Sequence, residues 1–359
     1  MRPRDIQVAA VIACAVLVHA LWGPTDRAHQ TPGGKKVSPT LGEPMEEVLR
    51  SVRSIRIGSD SPPWVVMHAL LAFGPDLEIV DVRRDQPVRI LDGICGPGAA
   101  RFFQVMPGSS RGNRGTPDGI QSRSECHPDQ WLCILSAHAV PLTRRIVLDG
   151  EYFTLRDRLE ASKGQSASGC SETAAWTIPA LCCYLPRKAR WQNELGEEVT
   201  MTSVATDFLR REDWRTGPCN GTHHLYALAS LKVARILRGE TATRLDRTLE
   251  EALRLLQRNQ NADGTWMCNW QTEKDKPQDV FDTVHITGHH LEWIALAATE
   301  EQVNAKWLLD AVRGLIGAIR GIDAAEVEKA IKARPEAYGS LCHAARGLHL
   351  IKKRWSCEP

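Results

Sequence analysis

The pattern of hydrophobic and polar positions predicts buried helices that alternate with amphipathic ones. Residues 291–297, Leu-Glu-Trp-Ile-Ala-Leu-Ala, leave almost no polar face, and a helix that is apolar on all sides is a buried one. Elsewhere apolar residues recur every three or four positions with charges opposite, as in helices that turn one face to a core. The buried runs lie at 64–73, 127–137, 172–184, 221–237, 282–297 and 338–348. The amphipathic stripes include Met45/Val48/Leu49/Val52, Leu245/Leu249/Ala252/Leu253/Leu256 and Leu308/Ala311/Val312/Leu315/Ile316/Ile319.

One polar residue lies near the predicted start of each buried run. These residues are His68, His127, Glu172, His223, His289 and His343. An apolar helix followed by an amphipathic one every ~50 residues is a helical repeat. The repeat predicts an all-α fold, an (α/α)6 toroid of six inner and six outer helices, in which the polar residues converge on one cavity. Short hairpins are predicted as insertions at 145–154 and 191–200, and an open helical solenoid is the alternative architecture.

The N-terminal residues have the features of an export segment. Two arginines precede an apolar run at 8–21, which is short for a membrane-spanning helix. Its end, Val18-His19-Ala20, suits cleavage after Ala20. We therefore predict a signal peptide or N-terminal membrane anchor at 1–22, a linker at 23–44 and an α/α-toroid domain at 45–352. This organisation places the domain in the cell envelope, periplasmic or extracytoplasmic, with membrane contact only through the N-terminal segment. A core helix at 1–22 is the alternative.

Composition narrows the classes of partner. A net charge of +2, without a basic stripe interleaved with aromatic residues, argues against nucleic acid. Hydrophobic residues make up 43% of the chain and charged residues 25%, which is ordinary for a globular protein with a large core. Of the 11 cysteines, those outside the export segment are even in number and compatible with disulfides in an oxidising compartment. Their connectivity stays open.

A motif after the amphipathic stripe at 245–256 supports the toroid. Residues 255–266 read Leu-Leu-Gln-Arg-Asn-Gln-Asn-Ala-Asp-Gly-Thr-Trp. The Gln260, Gly264 and Trp266 set resembles the QW motif of the terpene cyclase and prenyltransferase toroid superfamily, present here in a single copy. In that superfamily the motif ties helix ends together, so the resemblance implies that Trp266 packs at a helix junction, outside the cavity. The superfamily's acidic DDxxD and DxDD signatures are absent, so the resemblance implies a fold and no chemistry.

A second resemblance concerns metal binding. Residues 341–347, Leu-Cys-His-Ala-Ala-Arg-Gly, are similar to the Cys-His-Gly stretch that supplies zinc ligands in the lanthionine cyclase toroids. The resemblance implies Cys342 and His343 as zinc ligands, with Cys219 as the second thiolate. The overall pattern of histidine motifs resembles an uncharacterised bacterial family of exported helical proteins, which implies export and no activity.

The candidate residues suit acid–base chemistry. Histidine exchanges protons near neutral pH, and a buried glutamate acts as acid or base when its pKa is raised. The six residues near the helix starts are therefore the candidate catalytic set, with Glu292 or Asp282 as a second carboxylate beside Glu172. Inner-helix N-termini would favour an anionic ligand.

Three functions stay open at this point. The first is an enzyme that acts on a small or carbohydrate-like substrate. The second is a zinc protein that uses Cys219, His289, Cys342 or His343, since thiolate and neutral imidazole are suitable ligands. The third is a non-catalytic envelope scaffold or binding protein, because a histidine on an apolar helix is usually a hydrogen-bonded core residue.

Overall fold

The structure is a computed structural model that describes residues 41–105, 120–122, 129–148, 150–165, 171–211 and 213–356. The predicted export segment and most of the predicted linker lie outside the described residues. The prediction of an all-α fold is confirmed, because the described chain is mostly helical with a few short strands. The first helix begins at Gly42, slightly before the predicted domain start, and the last continues to Ser356.

The described residues form helices and two-stranded sheets in alternation along the chain. The helices are α1 (Gly42–Ser54), α2 (Pro63–Phe73), α3 (Ile90–Cys95), α4 (Gln130–Ala137), α5 (Leu155–Gln165), α6 (Ser171–Tyr184), α7 (Met201–Arg210), α8 (Thr222–Ala234), α9 (Gly239–Arg258), α10 (Val280–Ala297), α11 (Glu300–Val303), α12 (Lys306–Arg320), α13 (Ala324–Ala330) and α14 (Pro335–Ser356). The strands are β1 (Glu78–Asp81), β2 (Gln86–Arg89), β3 (Phe103–Val105), β4 (Ile120–Ser122), β5 (Arg145–Leu148), β6 (Glu151–Thr154), β7 (Arg190–Gln192) and β8 (Glu198–Thr200).

The helices predicted to be buried pack against one another in a closed order. Helix α2 contacts α4, α4 contacts α6, α6 contacts α8, α8 contacts α10, α10 contacts α14, and α14 contacts α2. The apolar runs explain this arrangement, because stretches such as 222–231 of α8 and 337–348 of α14 are buried at every position. A helix with no polar face excludes water only when other helices surround it.

The amphipathic helices lie against these buried ones. Helix α9 packs on α8, α12 on α10, and α1 on α14. Each buries only the residues of its predicted apolar stripe, such as Leu245, Leu249 and Leu253 of α9. The described helices include none that is both long enough and apolar enough to cross a membrane.

Both predicted hairpins are confirmed. Strands β5 and β6 pair with Leu148 opposite Glu151, and Gly150 in their turn has a φ of 86°. Strands β7 and β8 pair with Gln192 opposite Glu198. The described parts of the segment 76–122 also form the hairpins β1–β2 and β3–β4 and helix α3. These elements are too short to show a periodic pattern in the sequence.

Three of the polar residues do not lie near a helix start as predicted. His68, His289 and His343 lie in the interiors of α2, α10 and α14, which begin at Pro63, Val280 and Pro335. Of the predicted residues within the described chain, His223 lies in the first turn of α8 and Glu172 in the first turn of α6. The expectation that positive helix ends surround the cavity therefore fails at these three histidines, because the helix dipole acts within the terminal turn.

Gly288 lies in the interior of α10. The N-cap of this helix is Asp279, whose side chain accepts a hydrogen bond from the Phe281 N–H. Gly288 lets α10 approach α14 closely, because a Cβ at this position would lie 2.5 Å from the Ala344 nitrogen. Gly347 makes the reciprocal approach, with a Cβ there 2.7 Å from the Gly288 carbonyl oxygen.

The predicted position of Trp266 is confirmed. Its indole is fully buried and donates to the Leu256 carbonyl oxygen at 2.9 Å, with its ring centre 6.4 Å from that of Trp307. The Gln260 side-chain nitrogen donates to the carbonyl oxygens of Gly264 at 2.7 Å and Trp307 at 2.8 Å. The Gln–Gly–Trp set therefore joins the end of α9 to the start of α12.

Candidate metal centre

Four of the six predicted site residues come together between α2, α8, α10 and α14. The ring centres of His289 and His343 are 3.7 Å apart, His223 lies 5.0 Å from His289, and His68 lies 5.0 Å from His343. All four side chains are buried. This clustering follows from the helix packing, because each histidine lies on the face that its helix turns to its neighbours.

The other predicted site residues do not contribute to the described site. His127 lies outside the described residues. Glu172 is in α6, and the structure does not describe its side chain. Asp282, a candidate second carboxylate, is exposed on the first turn of α10. The remaining candidate carboxylate, Glu292, is buried inside the cluster.

Glu292 contacts three nitrogen atoms. Its Oε1 lies 3.0 Å from Nδ1 of His343, and its Oε2 lies 3.3 Å from Nδ1 of His289. The guanidinium Nε of Arg346 is 3.7 Å from Oε1. Since a carboxylate only accepts hydrogen bonds, both imidazoles present an N–H to it. Each ring is thereby left with Nε2 as its second polar atom.

Arg346 is held independently of the carboxylate. Its Nη1 donates to the Leu71 carbonyl oxygen at 2.9 Å, and its Nη2 donates to the Tyr226 hydroxyl at 2.9 Å. Burial alone would lower the pKa of this guanidinium, but Tyr226 and Glu292 outweigh it, and the pKa is raised. Arg346 is therefore a permanent positive charge inside the helix cluster.

His285 was not among the predicted site residues and belongs to the site. Its ring centre lies 4.5 Å from that of His289 and 5.2 Å from that of His343. His285, His289 and Glu292 follow one another at steps of four and three residues, which places them on one face of α10. That spacing was available in the sequence and is the signal that identifies His285.

Cys219 reaches the cluster from the turn before α8. Cys219 and Asn220 both have left-handed backbone conformations, with φ of 48° and 54°. Such a conformation costs about 1–2 kcal/mol for a residue with a Cβ. The turn is held by the Trp270 indole, which donates to the Asn220 carbonyl oxygen at 3.0 Å, and by Thr222, which donates to that of Cys219 at 2.9 Å.

Gly221 completes this turn. Its φ is 81°, and a Cβ there would lie 1.8 Å from the Trp214 carbonyl oxygen, so no other residue fits the position. The Gly-Thr-His sequence that predicted the start of α8 therefore also sets the position of the cysteine before it.

Two sets of side chains have the spacing of metal ligands. The ligand atoms of Cys219, His285 and His289 lie within 4.8 Å of one another, and so do those of His289, Glu292 and His343. The first set is half-buried at Cys219 and His285, whereas the second is fully buried. Cys342, implied as a zinc ligand by the lanthionine cyclase resemblance, belongs to neither set.

Cys342 packs in the core instead. It is fully buried beside Tyr338, and burial raises the pKa of its thiol far above the usual value. Its neighbour His343 faces the cluster because adjacent residues on a helix point about 100° apart. None of the described cysteines forms a disulfide. Besides Cys219 and Cys342, the free thiols are those of Cys95, Cys133, Cys182, Cys183 and Cys268.

The imidazoles of the cluster are held in their neutral form. Burial lowers the pKa of His285 to about 4. Burial and the neighbouring histidines lower the pKa of His289 and of His343 well below the usual value. Neutral imidazole is the form that binds metal ions. In His289 the Nε2 atom is buried and has no hydrogen-bond partner among the described residues.

A small cavity adjoins the cluster. Its volume is about 10 Å³, and it is lined by Leu71, Cys133, Ala175, Trp176, His223, Tyr226, Glu292 and Arg346. A cavity of ~10–15 Å³ has room for about one water molecule, whereas pockets for small organic ligands measure ~300–1,000 Å³. This cavity fits a water or a monatomic ion and does not fit a sugar.

The histidines that follow His223 and His289 have structural roles. His224 stacks on Phe208 of α7 with 4.0 Å between ring centres. His290 accepts a hydrogen bond from the Trp293 indole at 3.1 Å and packs beside Trp270. A shift of one position turns a side chain about 100° around the helix, so these rings face neighbouring structure and not the cluster.

Compared with protein-family models, curated proteins and solved structures, the chain has no match.

Proposed function

We propose that the protein binds one zinc ion through Cys219, His285 and His289 and leaves a fourth coordination position open to water or a small anion. The observation that carries this proposal is the convergence of the three ligand atoms within 4.8 Å. Because Nδ1 of His289 faces Glu292, its Nε2 is the nitrogen available to a metal, and that atom is buried without a hydrogen-bond partner among the described residues.

The donor set favours zinc. Thiolate sulfur and imidazole nitrogen are its usual ligands, at about 2.3 Å and 2.0 Å. In a tetrahedral site these bond lengths place the ligand atoms ~3.3–3.6 Å apart. The three ligand atoms, which lie no more than 4.8 Å apart, therefore have to approach one another by about 1 Å. Rotation of the side chains supplies this movement. Hard cations such as magnesium prefer oxygen ligands and suit this set poorly.

The ligand count points to a site that exchanges its fourth ligand. Structural zinc sites are usually closed by four protein ligands, whereas catalytic ones have three and keep one position open. A zinc ion in such a site acidifies bound water and polarises oxygen atoms of a substrate. Cys219 and His285 are half-buried, so the open position is on the accessible side of the cluster.

Two alternatives are less favoured. A carbohydrate-like substrate beside Glu292 requires a pocket far larger than the cavity of about 10 Å³ that adjoins this residue. A structural scaffold does not account for three potential metal ligands whose donor atoms lie within 4.8 Å of one another, one of them on the left-handed residue Cys219.

The finer architecture and the location are also proposals. The closed order of contacts from α2 through α14 and back to α2 supports an (α/α)6 toroid with the metal inside. We further propose that the domain is exported or anchored by residues 1–22, and the charge and apolar pattern of that segment supports this.

Metal analysis of the purified protein tests the zinc site. Wild type is expected to contain one zinc per chain, and its cobalt form to show a near-ultraviolet thiolate-to-cobalt band. Cys219→Ser should remove that band and weaken binding by more than the ~10–100-fold typical of a residue that only supports a ligand.

Two matched substitutions serve as controls. Cys268 is a half-buried thiol outside both sets, with its pKa raised by burial to about 11, and Cys268→Ser should leave affinity and band unchanged. Cys342→Ser should do the same. A band that survives Cys219→Ser and disappears in Cys342→Ser would replace the proposed ligand set with that of the lanthionine cyclases. Absence of zinc from wild type and from protein dialysed against zinc would refute the function.

A further inference from the structure

We infer that Glu292 is a positioning residue that orients His289 for the metal, and that the set His289, Glu292 and His343 is its support and not a second metal site. This inference rests on the proposed zinc site. It assigns a purpose to the buried carboxylate, to His343 and to Arg346, none of which belongs to the proposed ligand set.

The tautomer of His289 is the first step. The carboxylate oxygens of Glu292 accept hydrogen bonds and do not donate them. An Oε2 at 3.3 Å from Nδ1 of His289 therefore places the proton of the neutral ring on Nδ1. The lone pair is then on Nε2, the buried atom without a hydrogen-bond partner among the described residues. A metal-binding histidine usually donates its other N–H to a carboxylate in this way.

His343 and Arg346 fix the carboxylate in turn. Nδ1 of His343 lies 3.0 Å from Oε1, whereas Nδ1 of His289 contacts the other carboxylate oxygen, Oε2. The guanidinium 3.7 Å from Oε1 attracts the negative carboxylate, and two hydrogen bonds to Leu71 and Tyr226 keep that guanidinium in place. Glu292 thus contacts groups from two helices and cannot rotate toward the metal without breaking these contacts.

The same charges argue against a second ion at Glu292. A divalent cation there would be close to the buried positive charge of Arg346. Two positive charges so close together repel each other, and the low dielectric constant of a buried site strengthens this repulsion. The first set contains a thiolate, so one ion at Cys219, His285 and His289 is favoured.

The test combines zinc affinity with the tautomer of the metal-free protein. Glu292→Gln keeps the size of the side chain. Its amide has only one oxygen to accept hydrogen bonds, whereas His289 and His343 need two. Zinc affinity, measured by competition with a chelator, is expected to fall by ~10–100-fold, with one ion per chain and the thiolate-to-cobalt band retained. In 15N-histidine spectra of the metal-free wild type, His289, identified by its absence in His289→Ala, should be protonated at Nδ1.

Asp129→Asn is the matched control. Asp129 is also a buried carboxylate with a buried arginine partner, Arg158, and it accepts from Ser162 at 2.8 Å, but it lies outside both metal-ligand sets. Its loss should destabilise the fold and leave zinc affinity unchanged. An equal loss of affinity in both variants would show that Glu292 acts only through stability and would overturn the inference.

The remaining outcomes separate the inference from the proposed function. Zinc binding by wild type with unchanged affinity in Glu292→Gln refutes the role of Glu292 alone. Two ions in wild type and one in Glu292→Gln would make Glu292 a ligand of a second site. If no zinc binds to wild type, both proposals fail. Should Glu292→Gln fail to fold, the wild-type spectrum decides, since a His289 ring protonated at Nε2 overturns the inference.

Discussion

Gly288→Ala is expected to separate two helices and disturb the metal site without touching a ligand. The new Cβ would lie 2.5 Å from the nitrogen and 2.7 Å from the Cα of Ala344. Ordinary contacts between such atoms are about 3.5–4.0 Å. Because both contacted atoms are backbone, no side chain can rotate away, and α10 and α14 must move apart by about 1 Å.

This movement has a structural and a functional consequence. Overpacking costs ~1–3 kcal/mol, and a backbone contact belongs at the upper end of that range. Replacing a helical glycine with alanine stabilises the helix by about 1 kcal/mol. We therefore expect a net loss of about 2 kcal/mol in the free energy of unfolding. The bond between His343 Nδ1 and Glu292 Oε1, now 3.0 Å, would stretch beyond hydrogen-bonding distance, and zinc affinity should fall with it.

Urea unfolding and zinc competition measure the two effects. Gly317→Ala is the control, because a Cβ on this exposed glycine of α12 meets nothing within 4 Å. Gly317→Ala should raise the free energy of unfolding by up to about 1 kcal/mol and leave zinc affinity unchanged. If Gly288→Ala is as stable as wild type and binds zinc equally well, the close approach of α10 and α14 does not exist as described.

Three further predictions follow from the junction, the core and the N-terminus. Trp266→Ala removes a fully buried ring at a helix junction, so it should lower the free energy of unfolding in urea by ~3–5 kcal/mol. The zinc affinity of the folded fraction should stay nearly unchanged. Loss of zinc binding without loss of stability would place the indole in the site. Burial lowers the pKa of His138 to about 3, below its unfolded value near 6.5. The contribution of neutral His138 to the free energy of unfolding is therefore complete above the unfolded pKa. It is lost as the pH falls below that pKa, by up to about 2 kcal/mol at pH 5. His138→Gln should flatten the stability difference between pH 7 and pH 5, and an unchanged difference would contradict the assignment. Deletion of residues 1–22 should leave a folded protein that binds zinc, because the predicted linker at 23–44 separates this segment from the domain. Aggregation of the truncated chain would assign the segment to the core.

The helical fold and much of its order were predictable from the sequence. Apolar runs such as 291–297 and stripes such as that of α9 are local patterns, and each reports directly which face of a helix meets the core. The hairpin turns and the junction at Trp266 also depend on a few neighbouring residues. The row of histidines was recognisable for the same reason, since it repeats with the helices.

The composition of the site depended on tertiary packing. The sequence spacing places His285 on the same face of α10 as His289, but its proximity to Cys219 and His343 arises only from the packing of α10 against α8 and α14. Cys219 belongs to the site and Cys342 does not, although both are cysteines close to a histidine in the sequence. The physical reason is that ligand distances are set by how α8, α10 and α14 cross, and residues far apart in sequence carry no local signal of that geometry.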